Sequence, residues 1–507
     1  MRLPFPERVP LDRVAVFAGV LFAVQIFEGT ALYFSVGCAA FVFIAAIAFN
    51  TAGGLTRTSG AYVFFYSTMV VIIGICYKAY LGEPADSNLV DPGTDIAVYV
   101  AGITAMLGAV IVSRRFARKA GLLQNVLKVS GMYRASVGCI VFGIFGSSLI
   151  DLLGEEGVSL QRIFLQINQL IPLGIIIGVI YEIRHSRGTR SINLPTAFAI
   201  VFYFFFLGLL GYSKQGMLTP LMCWALPVCA LRYRLSGAQI LSCLLGVSMI
   251  FYFLVPYAQY GRGVYQGENP SFSKRVSTAL SLIEHPSDTR KKYLDTLVGT
   301  GGGYYNSPQG FWDRLQFISV DDGLVNATDH GHVFGLWPVK ACFLNAIPHI
   351  IWPDKPDLRL GNTYTHEFAP NMPEEDTTTG ISYSAIAEGY HWAKWVGVLI
   401  VAPLIWVLAF LVFDLLFGDL RATPWGLLVL AELGHAAPEG MLSGLIGFMT
   451  IGAETLIFCA VFATWIAPHF ATFVLGPERS RIPRVRSFSG PLPPQPNRMT
   501  DPGNCAL

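Results

Sequence analysis

Hydrophobic and polar positions along this chain come in long blocks instead of alternating residue by residue. Apolar runs recur from Val14 onward, each closed by a short polar stretch. A helix rises about 1.5 Å per residue, so roughly 20 apolar residues cross the hydrocarbon core of a bilayer. On that measure the pattern predicts twelve spans, at 14–30, 32–49, 61–81, 96–112, 135–153, 167–183, 195–212, 217–231, 237–256, 393–417, 424–437 and 443–467. The expected fold is an all-α polytopic membrane protein. The chain then divides into transmembrane helices over 1–256, one large hydrophilic block over 257–392, further helices over 393–470, and a Pro-rich tail over 471–507 read as disordered.

The polar stretches sort by charge. Arg2, Arg8 and Arg13 precede the first span; Arg57, "RRFARK", "RHSRGTR", "RYR" and Arg421 fall in every second connection, and "RSRIPRVR" follows the last span. The intervening connections include the acidic "GEPADSNLVDPGTD" and "DLLGEEG". Basic residues in short loops stay on the cytoplasmic side, so both termini are expected there and the block 257–392 on the opposite, outer side. The start "MRLPFPERVPLDR" has no small-residue cleavage site after it and reads as the cytoplasmic approach to the first span.

Composition agrees with a bilayer setting: 53% of residues are hydrophobic and 13% charged, with a mean hydropathy of +0.52. A net charge of +2 without a basic stripe gives no footprint for nucleic acid. The nine cysteines stand apart, with no CxxC pair, and read as small buried hydrophobes. Short cytoplasmic connections leave no room for a nucleotide-binding domain. The run "GTGGGYY" lacks both the lysine and the spacing of a phosphate-binding P-loop. Any chemistry on the outer side therefore needs a substrate that arrives activated, or a transmembrane gradient.

Several polar residues are candidates for that chemistry. Lys214, in "GLLGYSKQGMLTP", stands between two spans beside small residues, where it either holds an anionic lipid headgroup or extends its amine to the interface. Arg262, Arg314, Lys355 and Arg359 continue a series of cations along the outer block that suits a pyrophosphate. "DHGH" supplies His332 but too few ligands for a metal, and no metal or cofactor is expected. In "TGISYSAIAEGYHWAKWVG", helical spacing puts Ser384, Glu388 and His391 on one face, a carboxylate and an imidazole at the membrane surface. Partial burial raises a carboxylate toward the range of a useful general base. Each of these residues also has a plain reading as a solvated turn or helix end. Glu432 and Glu454, in the last two spans, keep a cation transporter open as a rival.

Two segments carry a family resemblance. "IPHIIWPDKPDLRLG" followed by "TTTGISYSAIAEGYHWAKWVG" resembles the Wzy-type polymerases of bacterial surface polysaccharides, which often show "iPR.iWP.KP" and then "gE.Y.n.G". Here these are Ile347–Pro356 and Glu388–Gly397. The chain departs from the pattern at His349, where the family often has Arg, and in the longer "YHWAKWVG". The resemblance covers these segments and the layout of the chain. It implies a GT-C-like glycosyltransferase of the bacterial inner membrane with its loop in the periplasm. The implied reaction polymerises undecaprenyl-pyrophosphate-linked oligosaccharides, and a chain-length regulator and a flippase are implied partners besides membrane lipid. Glu388 is then expected as general base, with His391 or His332 next, and Lys214, Arg262, Arg314, Lys355 and Arg359 as ligands of pyrophosphate or sugar. An O-antigen ligase, which passes the same donor to lipid A core, and a flippase or transporter of lipid-linked sugars are the alternatives.

Overall fold

In a computed structural model of the chain, each apolar run predicted above forms helix. The structure describes residues 1–118, 120–124, 126–153, 166–264, 272–297, 303–347, 352, 360–368 and 380–476. Among these no β-strand forms; one isolated backbone bridge joins Arg2 to Arg234.

Eight helical stretches among the described residues are long and apolar enough to cross a bilayer. They are Leu32–Ala52, Thr58–Leu81, Pro92–Phe116, Val129–Ser147, Gln166–His185, Gly237–Val264, Ala385–Ala422 and Met441–Leu475. The other predicted spans are shorter helices: Leu11–Phe27 and Lys214–Ala230 with 17 residues each, Pro424–Glu439 with 16, and Leu194–Leu209. The protein is a helical, membrane-embedded polytope.

Helix starts follow from local chemistry. Asp91, Asn193, Ser213, Ser236, Ser384 and Thr423 each accept a hydrogen bond from the backbone N–H three residues on. These are the side chains that satisfy donors left over in a first turn. The helix Leu170–His185 is apolar on every side and is buried almost throughout. It packs against Met132–Leu153, Lys214–Ala230 and Pro424–Glu439, and Ser136 Oγ donates to the Gly174 carbonyl at 2.7 Å.

The two ends of the bundle differ in charge. The basic connections meet at one end: the N-terminal amine donates to the Leu235 carbonyl, Arg421 pairs with Glu7 at 2.6 Å, and Arg57 lies 3.5 Å from Asp414 and donates to the Arg118 carbonyl. The described part of the hydrophilic block closes the other end. There Asp322 accepts from the backbone N–H groups of Val90 and Asp91, Glu83 from that of Asn306, and the Ala85 carbonyl from Tyr304. The hydrophilic block is thus tied to the acidic connection "GEPADSNLVDPGTD" by buried and partly buried hydrogen bonds, and it sits as a cap on the bundle.

Candidate functional site

The helix beginning at Ala385 is short and turns back on itself. Ser384 caps it, and three buried groups hold Ser384 in place. Its N–H donates to Asp321 Oδ1 at 2.9 Å, its hydroxyl accepts from Tyr66 at 2.9 Å, and Tyr99 donates to Asp321 Oδ2 at 2.5 Å. Burial pushes the Asp321 carboxyl up to about 6. At Ala393 and Lys394 the backbone leaves the helix, with Lys394 at φ 50° and ψ −135°. The chain then resumes as the long helix at Trp395. Gly397 makes this reversal sterically possible, because a Cβ there would lie 1.7 Å from the Gly389 carbonyl oxygen. Asp329 braces the turn: Tyr390 donates to it at 2.7 Å and Lys394 Nζ lies 3.6 Å away. The apolar stretch Ala385–Ala422 is therefore a short helix folded against a span.

Glu388 lies on the inner face of that short helix and is fully buried. Its Oε2 accepts from the backbone N–H of Leu442 at 2.6 Å and of Ser443 at 2.8 Å; its Oε1 accepts from the Ser443 hydroxyl at 2.8 Å and from Tyr364 at 2.9 Å. Leu442 and Ser443 open the last long helix, just after a left-handed Met441 at φ 58°. Their amides have no partner inside that helix, and an anion is stabilised there by the helix dipole. A carboxylate has about four acceptor positions, and all are filled. Glu388, expected as the proton acceptor, thus ties two helices together, with the acceptor positions of its carboxylate taken up by protein donors.

His391, one turn on and also fully buried, has a different environment. Its Nδ1 is 2.9 Å from Thr328 Oγ1, and the Thr328 hydroxyl donates to the Leu324 carbonyl at 2.7 Å. Thr328 has one hydrogen to give, so Nδ1 of His391 is the donor, and Nε2 of the neutral ring carries the lone pair. Among the described residues, that Nε2 has no hydrogen-bond partner, and neither does Oε2 of Glu367, 3.6 Å away. Two buried acceptors face each other across a gap too long for a direct hydrogen bond. Burial holds the Glu367 carboxyl above its usual range, and nearby His332 pulls it part of the way back. The rings of Phe334, Phe368 and Tyr364 surround the imidazole, with centroids 4.9, 5.6 and 5.8 Å away. An imidazole with a free lone pair and a carboxylate beside it has the chemistry to take a proton from a hydroxyl group placed against the aromatic faces.

The expected cations are divided. Lys214 Nζ lies 2.8 Å from Glu439 Oε1, and His435 Nδ1 lies 3.4 Å from Oε2 of the same carboxylate. Arg314 is close enough to Glu439 to act on it electrostatically. Arg262 donates to the Tyr212 carbonyl at 3.2 Å, two residues before Lys214. These cations gather around Tyr212–Lys214 and Glu439, and Glu439 is three residues before Leu442, which holds Glu388. The short turn Glu439–Ser443 thus joins the cationic cluster to the helix that carries His391. His332 is exposed and acts electrostatically on both His391 and Glu367. Of the rest of "DHGH", Asp329 holds Tyr390 and Lys394, and His330 Nδ1 is 2.8 Å from the Asn326 carbonyl. Lys355 and Arg359 lie outside the described residues.

Lys214 is engaged by Glu439, so an anionic ligand must exchange with that carboxylate. On the expectation that Lys214 holds a pyrophosphate, Lys214→Ala raises the KM for a substrate that bears one roughly tenfold, the scale of one hydrogen bond to a charged group. Glu439→Gln, which releases the amine, should leave that KM unchanged or lower it. Steady-state kinetics on the two variants in detergent check this, and an equal rise in both would separate Lys214 from the substrate.

Glu367, Thr328, Phe334 and Phe368 had no part in the sequence-based expectation. A signal for Glu367 and Phe368 is the compact "TYTHEF" at 363–368, two acid-base side chains among aromatic ones after the Pro-rich stretch; Thr328 and Phe334 have none. Comparison of the chain with family models, with curated proteins and with solved structures finds no match.

Proposed function

We propose that this chain polymerises undecaprenyl-pyrophosphate-linked oligosaccharide repeat units into a surface polysaccharide. The reaction takes place at the periplasmic face of the bacterial inner membrane, in a protein of twelve spans with both termini in the cytoplasm. The observation that carries the reading is the pair of buried acceptors His391 Nε2 and Glu367 Oε2, unpartnered among the described residues and set among aromatic rings at the end of the bundle opposite its basic connections. The family resemblance of Glu388–Gly397 supports it, since this segment builds the helix and the reversal that position His391.

In this reading an acceptor sugar hydroxyl lies against Phe334 and Phe368 with its hydrogen toward His391. Its oxygen attacks the anomeric carbon of the donor sugar, and the bond from that carbon to the pyrophosphate oxygen breaks. The electron pair leaves with the polyprenyl pyrophosphate. His391 Nε2 takes the hydroxyl proton, and Glu367 stabilises the imidazolium that results. Lys214, Arg262 and Arg314 receive the negative charge of the leaving group. A single displacement inverts the anomeric centre.

The test is the glycan profile of a deletion strain. Polymerisation predicts that long chains disappear while one repeat unit remains on its acceptor. Loss of all attached glycan would assign the chain to ligation, which uses the same donor, and an unchanged profile would remove it from glycan assembly.

A further inference from the structure

The helix Gly237–Val264 buries little of itself; Leu241, Leu244, Leu245 and Met249 face outward as acyl chains require. Beyond it lie two helices, Phe272–Glu284 and Pro286–Leu297, that meet at His285. Thr289 locks them together by donating its hydroxyl hydrogen to the Leu282 carbonyl at 3.0 Å. On the first helix, Ala279 and Leu282 pack with Leu209, Tyr212, Met217 and Tyr257 into a small separate core over the ends of three transmembrane helices. The pair is therefore docked on the bundle.

Its apolar stripe is wider than that contact. Positions 272, 276, 280 and 283 share one helix face, and Phe272, Leu280 and Ile283 remain 62%, 56% and 44% exposed. Cations accompany them. Lys291 and Lys292 are exposed, and the Arg290 guanidinium stacks on Tyr252 at 4.3 Å from the ring centre. Tyr252 belongs to the outward surface of Gly237–Val264, so Arg290 marks the level where that apolar surface ends. Aromatic and cationic side chains take this position at a membrane–water interface.

We propose that the helix pair 272–297 is embedded in the headgroup layer of the bilayer and binds anionic phospholipid there. Acyl chains cover Phe272, Leu280 and Ile283, continuing the lipid-facing surface of Gly237–Val264. The phosphates pair with Arg290, Lys291 and Lys292. A second copy of the chain is a poorer occupant, because it would bring the same cations against these. The proposal does not depend on the sugar-transfer reading.

The test uses the full-length protein in nanodiscs containing phosphatidylglycerol, with benzoylphenylalanine in place of Leu280, Ile283 or Ser281. Irradiation should give phospholipid adducts at 280 and 283, roughly fivefold more than at the polar position 281. In native mass spectrometry, the Lys291→Glu, Lys292→Glu double variant should retain about half as much phosphatidylglycerol as the unaltered protein. Crosslinks to a second copy, equal adduct yields at all three positions, or unchanged phosphatidylglycerol retention would overturn the assignment.

Discussion

Glu388→Ala is expected to destabilise the folded protein by about 3–5 kcal/mol, the range for removing one partner of a buried charged network. The change leaves four buried donors without an acceptor: the amides of Leu442 and Ser443, the Ser443 hydroxyl and the Tyr364 hydroxyl. It also removes the anion from the start of the last long helix. Glu388→Gln keeps the shape but turns one acceptor into a donor, so a smaller loss of the same sign follows. Thermal unfolding of the detergent-solubilised variants, followed by loss of the monodisperse peak, measures this. A variant that is as stable as the unaltered protein yet inactive would return Glu388 to the chemistry.

His391→Ala has the opposite signature. It is expected to lower the rate of sugar transfer by about 10²–10⁴-fold, the usual worth of a positioned general base, while the protein still inserts and purifies. Glu367→Gln should lower the rate less, because it removes the partner of the imidazolium and leaves the base in place. The pH profile adds a sign. The His391–Glu367 pair works with the imidazole neutral and the carboxylate ionised, so activity rises with pH through its acidic limb. Burial keeps the Glu367 carboxyl above the ordinary carboxylate range, which sets the Glu367 contribution to that limb above the same range. Glu367→Gln should take that contribution away. An unchanged profile in Glu367→Gln would separate this carboxylate from the reaction.

The sequence made the membrane architecture readable because a bilayer demands long apolar runs, and such runs have few other uses. It also placed Glu388 and His391 on one helix face, which the structure keeps, while Ser384, expected on the same face, is the extended cap in front of the helix. What spacing along one helix leaves out is the surroundings of that face. Glu388 meets the amides of Leu442 and Ser443, brought in by a turn far along the chain, and these make it a cap on another helix. His391 is oriented by Thr328 and meets Glu367, and each stands on a helix of its own. Lys214 read as a lone cation because its partner Glu439 is also remote in sequence. Local periodicity carries the face of a helix; tertiary contacts decide whether a carboxylate on it is free or saturated.

The most direct test of the proposed function is a reconstitution with one lipid-linked substrate. The purified protein is incubated with undecaprenyl-pyrophosphate carrying a single repeat unit, and the products are resolved by mass spectrometry. The account predicts carriers bearing two and more repeat units, one undecaprenyl pyrophosphate released for each bond formed, and neither product with His391→Ala. Substrate recovered unextended by the active, folded protein would contradict it, as would extension at an undiminished rate by His391→Ala.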